Sequence, residues 1–525
     1  MPTPLATLAL AAPAALLAVA LLALWQPGLR PRHVLRASRL ATVVAMTLAL
    51  AAACLVARRG AVSSPLIGWQ GIGLSVRLDA LSCCMFLLIA FVGLIVVQYS
   101  RNYLDGDPRQ GDFIGGLCLT LATVTALVLA GNLFQLVAAW IGTSLSLHRL
   151  LVFYRDRRAA VVAARKKFIV ARLSDACLIG AALALGSAFG SADMTTILEH
   201  ARQLTEAPAS VAVAALLLAV AALLKSAQFP THGWLPEVME TPTPVSALLH
   251  AGIINAGGFL VIRFADVMVL FGPALHLLAV IGGFTTLFGA VVMLTQPSVK
   301  GSLAWSTVGQ MGFMLLECGF GAFAFALVHL VTHSLYKAHA FLASGSVVEL
   351  ARTCWQPDLK HAPKIRTLMA NVSMALGIYV AASWLFGLLG HESAAVLSLG
   401  AILIMGLSLL LAGASRGQAH AAVLARTAAL AVGATAMYFL LQGSAAWLLA
   451  STLPPIPAPD TAGWLIMLLA VASFGTVTVL QILAPVWLAS EGWCAARIHL
   501  ANGLYANTLF NRLIGALRTP GTTAR

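Results

Sequence analysis

The segments LLKSAQFP (residues 223–230) and HLVTHSLYKAHAFLASG (329–345) place ionisable side chains inside long apolar runs. Lys225 sits in the first, and His329, His333 and Lys337 sit in the second. His250 lies between them in TPTPVSALLHAG (241–252), and Asp175 precedes them in a further apolar run. A charge at the centre of a bilayer costs roughly 2.5 to 3.5 kcal/mol on insertion scales, so such residues usually line an ion path. The chain reads as a membrane protein that translocates ions.

Composition supports this. The 525 residues are 60% hydrophobic and 10% charged, with a mean hydropathy of +0.91, outside the soluble globular range. About 15 apolar runs of about 20 residues recur, each long enough to cross roughly 30 Å of hydrocarbon as a helix. They lie near 3–25, 39–57, 79–98, 113–130, 133–153, 168–189, 210–236 and 244–272. The rest lie near 275–295, 301–319, 321–348, 367–389, 393–413, 421–442 and 463–489. Barrel strands would alternate apolar and polar residues, and these runs do not. The expected fold is an all-α polytopic bundle with no sizeable soluble domain.

The first run lacks a basic leader and carries Pro2, Pro4 and Pro13, so it reads as a retained span rather than a signal peptide. Arg30, Arg32, Arg36 and Arg39 follow span one, and Arg155, Arg157, Arg158, Arg165, Lys166 and Lys167 follow span five. The positive-inside rule places both loops in the cytoplasm, with an outside N-terminus and a cytoplasmic C-terminus. Loops of the other parity agree, since 191–210 holds Asp193, Glu199 and Glu206 against Arg202, and 443–462 carries only Asp460. Arg58 and Arg59 run against the scheme. The net charge of +14 thus suits anionic lipid or an acidic partner and gives no independent reason to invoke nucleic acid.

Eight cysteines, paired in sequence only at Cys83 and Cys84, show no zinc or iron–sulfur spacing. There is no phosphate loop and no dinucleotide-binding glycine turn. No cofactor or metal is expected on this chain, and it is not expected to be an enzyme.

Lys225 precedes Pro230 by five residues in a run too long for a simple crossing. A proline removes a helix hydrogen bond, and a broken helix exposes carbonyls and water to a charge. His250 follows Pro242 and Pro244 in a glycine-rich span. His329, His333 and Lys337 stand at i, i+4 and i+8, which puts them on one helical stripe, as a proton relay requires. Simpler readings stand beside these. His250 alone suits a packing residue that glues helices. Lys225 at a helix end suits snorkelling, Lys300 beside QPSVK suits the interface, and Asp175 with Arg172 suits a structural i, i+3 pair. His339 faces away from the stripe. His232 and Glu237 suit a cytoplasmic mouth or a solvated loop, and the basic run 155–167 suits a topology signal.

LLKSAQFPTHGWLPEVMETPTPVSALLHAG, VKGSLAWSTVGQMGFM and HLVTHSLYKAHAFLASGSVVE resemble the core of the antiporter-like membrane subunits of respiratory complex I and of multisubunit cation/proton antiporters, from about Arg77 to Glu349. The resemblance implies two inverted five-helix repeats, each with a broken helix. It implies ion-translocating roles for Lys225, His250, Lys300, His329, His333 and Lys337. The corresponding organisation is N-terminal helices over 1–76, a translocation core over 77–350, C-terminal helices over 351–490 and an amphipathic tail over 491–525.

Two departures stand out. Trp140-Ile141-Gly142 replaces the family's tryptophan–glutamate, so Lys225 needs another counter-charge, with Asp175 the candidate. Residues 367–389 hold no charged side chain where the family has an exit lysine or glutamate. These departures, the stretch 140–176 and the tail GWCAARIHLANGLYANTLFNRLIGALR (492–518) resemble the branch that serves DAB-type inorganic carbon pumps. That resemblance implies a DabA-like large zinc protein on the cytoplasmic face, similar to a β-type carbonic anhydrase and carrying the catalysis. The tail is expected to lie on the membrane or dock a partner. The alternatives are a proton-pumping subunit of a complex I-like or hydrogenase oxidoreductase, or a cation/proton antiporter subunit. The residues leave H⁺ and Na⁺ both open.

Overall fold

A continuously apolar segment in hydrocarbon must satisfy its own N–H and C=O groups, and the helix does so within one segment. The computed structural model describes residues 3–69, 71–154, 156–345, 365–387, 390, 392–415, 421–487 and 491–513. Arg155, the ends of the spans drawn to 348 and 389, and the tail past 513 lie outside the described residues.

The chain runs through α1 (Pro4–Trp25), α2 (Arg32–Arg59), α3 (Ala80–Tyr103), α4 (Gln110–Val128) and α5 (Leu133–Leu151). It continues through α6 (Arg158–Phe189), α7 (Ala209–Lys225), α8 (Thr243–Arg263), α9 (Gly272–Met293) and α10 (Val299–Gly319). Then follow α11 (Phe323–Leu342), α12 (Ile365–Leu385), α13 (Ala394–Ala414), α14 (Ala421–Leu449) and α15 (Thr461–Trp487). Among the described residues, 11 helices are long and apolar enough to cross a membrane. The four that fall short, α5, α7, α10 and α11, hold several of the polar residues discussed below. Between α2 and α3 the chain forms two antiparallel ribbons. β1 (Val62–Ser63) pairs with β4 (Arg77–Leu78), with Val62 opposite Leu78, and β2 (Ile67–Trp69) pairs with β3 (Ile72–Leu74), with Gly68 opposite Gly73.

The helices alternate in direction, so one face gathers the basic loops and the other gathers the ribbons and the short helix Met194–Gln203. Burial separates centre from rim. Of the apolar stretch of α8, 94% is buried, against 11% of that of α15, so the helix carrying His250 is the axis of the bundle. Leu183, Trp384, Trp447 and Leu465 point outward and are exposed, an apolar exterior that suits lipid.

Two devices hold the centre. Helices α9 and α10 touch backbone to backbone through glycines. A Cβ on Gly282 would stand 2.6 Å from the Gly312 carbonyl oxygen, and one on Gly289 would stand 2.6 Å from the Gly309 nitrogen. Small residues permit this approach where no hydrophobic force draws helices together. On the ribbon face, Asp79 caps α3 by accepting from the Ser82 N–H at 2.9 Å. It also pairs with Arg263 at the end of α8 at 2.5 Å and with Arg77 at 3.0 Å.

The seventh run breaks as expected, because α7 stops at Lys225 and helical turns resume only over Thr231–Glu240. Helix α12 is continuous over Ile365–Leu385, and no proline lies in that stretch to open its ladder. The C-terminal helices α16 (Glu491–Ala501) and α17 (Ala506–Leu513) fold back on the basic face of this chain, where Asn507 and Asn511 donate to Glu237.

Replacing Asp79 by Ala strands two buried guanidinium groups and removes a cap. The expected loss is about 3–5 kcal/mol, read as a lower detergent-solubilised melting temperature. An unchanged melting temperature would contradict the clamp.

Candidate functional site

Lys225 ends α7, where the unpaired carbonyls of a helix C-terminus favour a cation. Beyond it Ala227 takes φ 51°, a left-handed conformation that a residue with a Cβ seldom adopts and that recurs at functional sites. The Lys225 ammonium is buried. It donates to Ser144 Oγ at 3.1 Å and to the Trp140 carbonyl at 3.4 Å. It lies 4.3 Å from the centroid of the Trp140 ring, whose negative face attracts it. An indole, a carbonyl and a hydroxyl of α5 therefore stand around the lysine whose expected carboxylate is missing.

Lys167 of α6 reaches the same point from the other side and donates to the Ser144 carbonyl at 2.6 Å. Asp175, two turns further along α6, pairs with Arg172 at 2.6 Å. Among the described residues no ion pair joins Asp175 to either lysine, yet its charge acts on both. Two ammonium groups beside one carboxylate repel each other, so the charge of either depends on the other. A cavity of about 20 Å³ bordered by Lys167, Lys225, Trp234, Leu249 and Ile254 has room for about one water. It opens toward α8. Gly257 lets α8 approach the break, since a Cβ there would stand 2.6 Å from the Ala222 carbonyl oxygen.

His250 occupies a π-helical turn over Leu249–Ile253, an irregularity frequent at functional sites. Its Nδ1 is 2.9 Å from Thr307 Oγ1, its ring stacks on Phe341 at 4.4 Å, and its Nε2 has no hydrogen-bond partner. On α11 the i, i+4, i+8 spacing turns His333 and Lys337 into the bundle, both buried, while His339 is exposed. Lys337 donates to the Leu303 carbonyl at 2.9 Å. Neither nitrogen of His333 has a partner, and the group interacts electrostatically with His329, Lys337 and His250. The His329 and His333 rings are 6.2 Å apart, and His329 Nδ1 is 3.0 Å from Glu317 Oε2. Lys300, in the first turn of α10, stands 3.4 Å from Thr243 Oγ1 near the basic face.

At that face Lys166 pairs with Glu237 and donates to Asn507 Oδ1 at 2.7 Å. His232 is buried among Phe229, Phe288 and Trp305, with no partner on either nitrogen. The solvated-loop reading of His232 is thus corrected, as is the reading of Lys166 and Lys167 as topology signals alone. Both lysines are buried, Lys166 against Glu237 and Asn507 and Lys167 against Ser144, while Arg165 beside them is exposed. Sequence reasoning missed Lys167, Ser144 and Glu317. One signal was available: Lys167 and Asp175 stand at i and i+8, on one stripe of α6.

Lysine, histidine and carboxylate side chains can each hold or release a proton, and here they run from the basic face through the centre and up α11 to the last turn of α10. The arrangement is chemically suited to passing protons.

A family model described as NADH:quinone oxidoreductase/Mrp antiporter, TM, matches residues 130–353, and one described as NADH-ubiquinone oxidoreductase (complex I), chain 5 N-terminus, matches residues 68–114. The probable inorganic carbon transporter subunit DabB2 of Halothiobacillus neapolitanus is 39% identical over 450 residues, covering 84% of this chain and 80% of that protein. The probable inorganic carbon transporter subunit DabB of Hydrogenovibrio crunogenus is 44% identical over 329 residues, covering 62% of this chain and 63% of that protein. A chain of the Mrp complex from Dietzia sp. superposes with a TM-score of 0.63 at 24% identity, covering 99% of this chain and 61% of that one, which establishes the likeness of fold.

Asp175→Asn leaves Arg172, Lys167 and Lys225 without their shared carboxylate. With Arg172 partly exposed, the expected cost is about 1–3 kcal/mol, read as a lower melting temperature that Asp175→Glu largely restores. Equal stability of all three proteins would show that the carboxylate does not balance these cations.

Proposed function

The chain belongs to the inorganic carbon transporter subunits of the DabB type, within the NADH:quinone oxidoreductase/Mrp antiporter family, and from that premise we propose that it is the proton-conducting membrane subunit of an energy-coupled inorganic carbon pump. The observation that carries the proposal is the buried lysine at the break of α7, which shares Ser144 with a second buried lysine and is followed by the titratable stripe of α11. Desolvation and neighbouring charge act oppositely on an ammonium, so small displacements at such a break change whether a lysine holds its proton.

In this reading protons move through Lys225, with Lys167 and Asp175 balancing its charge. They pass by water to His250 and along Lys337, His333 and His329. Lys300 and the Lys166–Glu237 pair serve the basic-face mouth. The basic face is cytoplasmic, the N-terminus is outside, the membrane is the bacterial inner membrane, and residues 77–350 form the translocating core. The preference for protons over sodium rests on the row itself, whose lysines and histidines carry protons on nitrogen.

The partner is a DabA-like zinc protein on the cytoplasmic face. Its metal would supply hydroxide at neutral pH, and hydroxide adds to carbon dioxide to give bicarbonate. Proton flow through this chain makes that hydration vectorial. Catalysis lies on the partner, and the role of this chain is transport.

Lys225→Ala and His333→Ala are expected to abolish inorganic carbon uptake by cells that produce the chain with its partner, while the complex still assembles. Uptake at the parent rate in either variant would remove that residue from the path. Purification from the native host in mild detergent is expected to bring down one large zinc-bearing protein. Iron–sulfur or quinone-reactive subunits instead would overturn the carbon-pump reading in favour of a redox-driven proton pump.

A further inference from the structure

The stripe on α11 climbs away from the basic face from Lys337 to His329, and His329 meets Glu317 in the last turn of α10. Glu317 is 5% exposed. The path proposed above still lacks a link between His329 and the opposite face. The neighbouring span has no charged side chain between residues 367 and 389 to provide one.

Three further groups occupy this gap. Tyr438 of α14 packs edge-on against Phe325, one turn before His329 on α11, with ring centroids 6.1 Å apart. Its hydroxyl is buried and makes no hydrogen bond, a costly condition for a polar group in apolar surroundings. Tyr379 of α12 directs its own hydroxyl at Glu392, 3.3 and 3.4 Å from the two carboxylate oxygens, and Ser383 Oγ donates to the same carboxylate at 2.7 Å. Tyr379 and Tyr438 flank Phe439, each 5.4 Å from its ring centroid. Glu392 lies in the connection from α12 to α13, on the face opposite the C-terminal helices.

We propose that Glu317, Tyr438, Tyr379 and Glu392 form the far end of the proton path, in place of the charged residue that α12 lacks. The inference rests on the proton-conducting reading above. A phenol donates one hydrogen bond while accepting others, so Tyr438 can pass a proton onward by receiving one on its oxygen as it releases its own, and return to its starting state. Protons pass between Glu392 and His329 by way of the two phenols and Glu317, with water bridging the unpartnered Tyr438 hydroxyl to its neighbours, and each carrier is restored by the next proton. The carboxylates store the charge and the tyrosines bridge them.

The test measures inorganic carbon uptake in cells producing the chain with its partner, with co-purification of the two as the check on assembly. Glu317→Gln and Glu392→Gln are expected to lower uptake about tenfold or more, in keeping with the loss of a proton-transfer group. Glu392→Asp, which keeps the carboxylate, is expected to retain most of it. Tyr438→Phe removes one unpartnered hydroxyl without disturbing any hydrogen bond and is expected to fall between them. Parent-level uptake in Glu392→Gln and Tyr438→Phe, with Lys225→Ala inactive, would overturn this exit and leave conduction through Lys225 standing. Parent-level uptake in Lys225→Ala as well would overturn the conducting reading itself. Equal loss of uptake and of assembly in Glu392→Gln and Glu392→Asp, with Tyr438→Phe at the parent rate, would make Glu392 a structural residue and also overturn the proposal.

Discussion

An ammonium group held inside a bilayer has to be solvated by protein, and the architecture around Lys225 follows from that demand. The lysine ends a helix rather than interrupting one, at the terminus whose dipole favours a cation. Its hydrogen-bond partners come from α5, through Ser144 and the Trp140 carbonyl, and the indole face covers it. Those partners satisfy the group without neutralising it. A direct ion pair would hold the proton more firmly, whereas a carboxylate at a remove, itself paired with Arg172, leaves the charge responsive to its neighbours.

A break in the middle of a bundle is tolerable only if both ends of the surrounding helices are pinned. On the ribbon face Asp79 gathers Arg77 and Arg263 and caps α3, so the end of the buried helix α8 is tied to the start of another. On the basic face Lys166, Glu237 and Asn507 join α6, the turns after the break and the C-terminal helix. Between the faces, glycines of α9 and α10 bring two backbones into contact, which packing of larger side chains could not do. Pinned ends and an irregular centre place the helix break and the π-helical turn where titratable groups lie.

The departures from the family's pattern acquire a common sense in three dimensions. The glutamate absent after Trp140 is answered by aromatic and hydroxyl contacts and by Asp175 on α6. Where α12 lacks a charge, Glu317 on α10 pairs with His329, and Glu392 lies beyond the helix end. In the proposed path, a role that the family's pattern gives to one residue is thus spread over several helices in both places. The proposed division of labour with a zinc-bearing partner is consistent with this, since the chain's polar interior is organised along a line rather than around a point.

Much was legible in the sequence because a bilayer imposes strict rules on a chain. Length and continuous hydropathy determined the helices, basic loops ordered the faces, and ionisable residues in apolar runs marked the polar row at Lys225, His250, His333 and Lys337. Periodicity alone put the α11 residues on one stripe, since a helix repeats every 3.6 residues whatever surrounds it. The burial of Lys166, Lys167 and His232, the return of the C-terminal helices to the basic face and the meeting of Glu317 with His329 were not legible. Each depends on which helix packs against which. A basic residue at a helix start reads the same whether it meets water or another helix, and only the tertiary structure decides, because burial and pairing are set by groups far away in the chain.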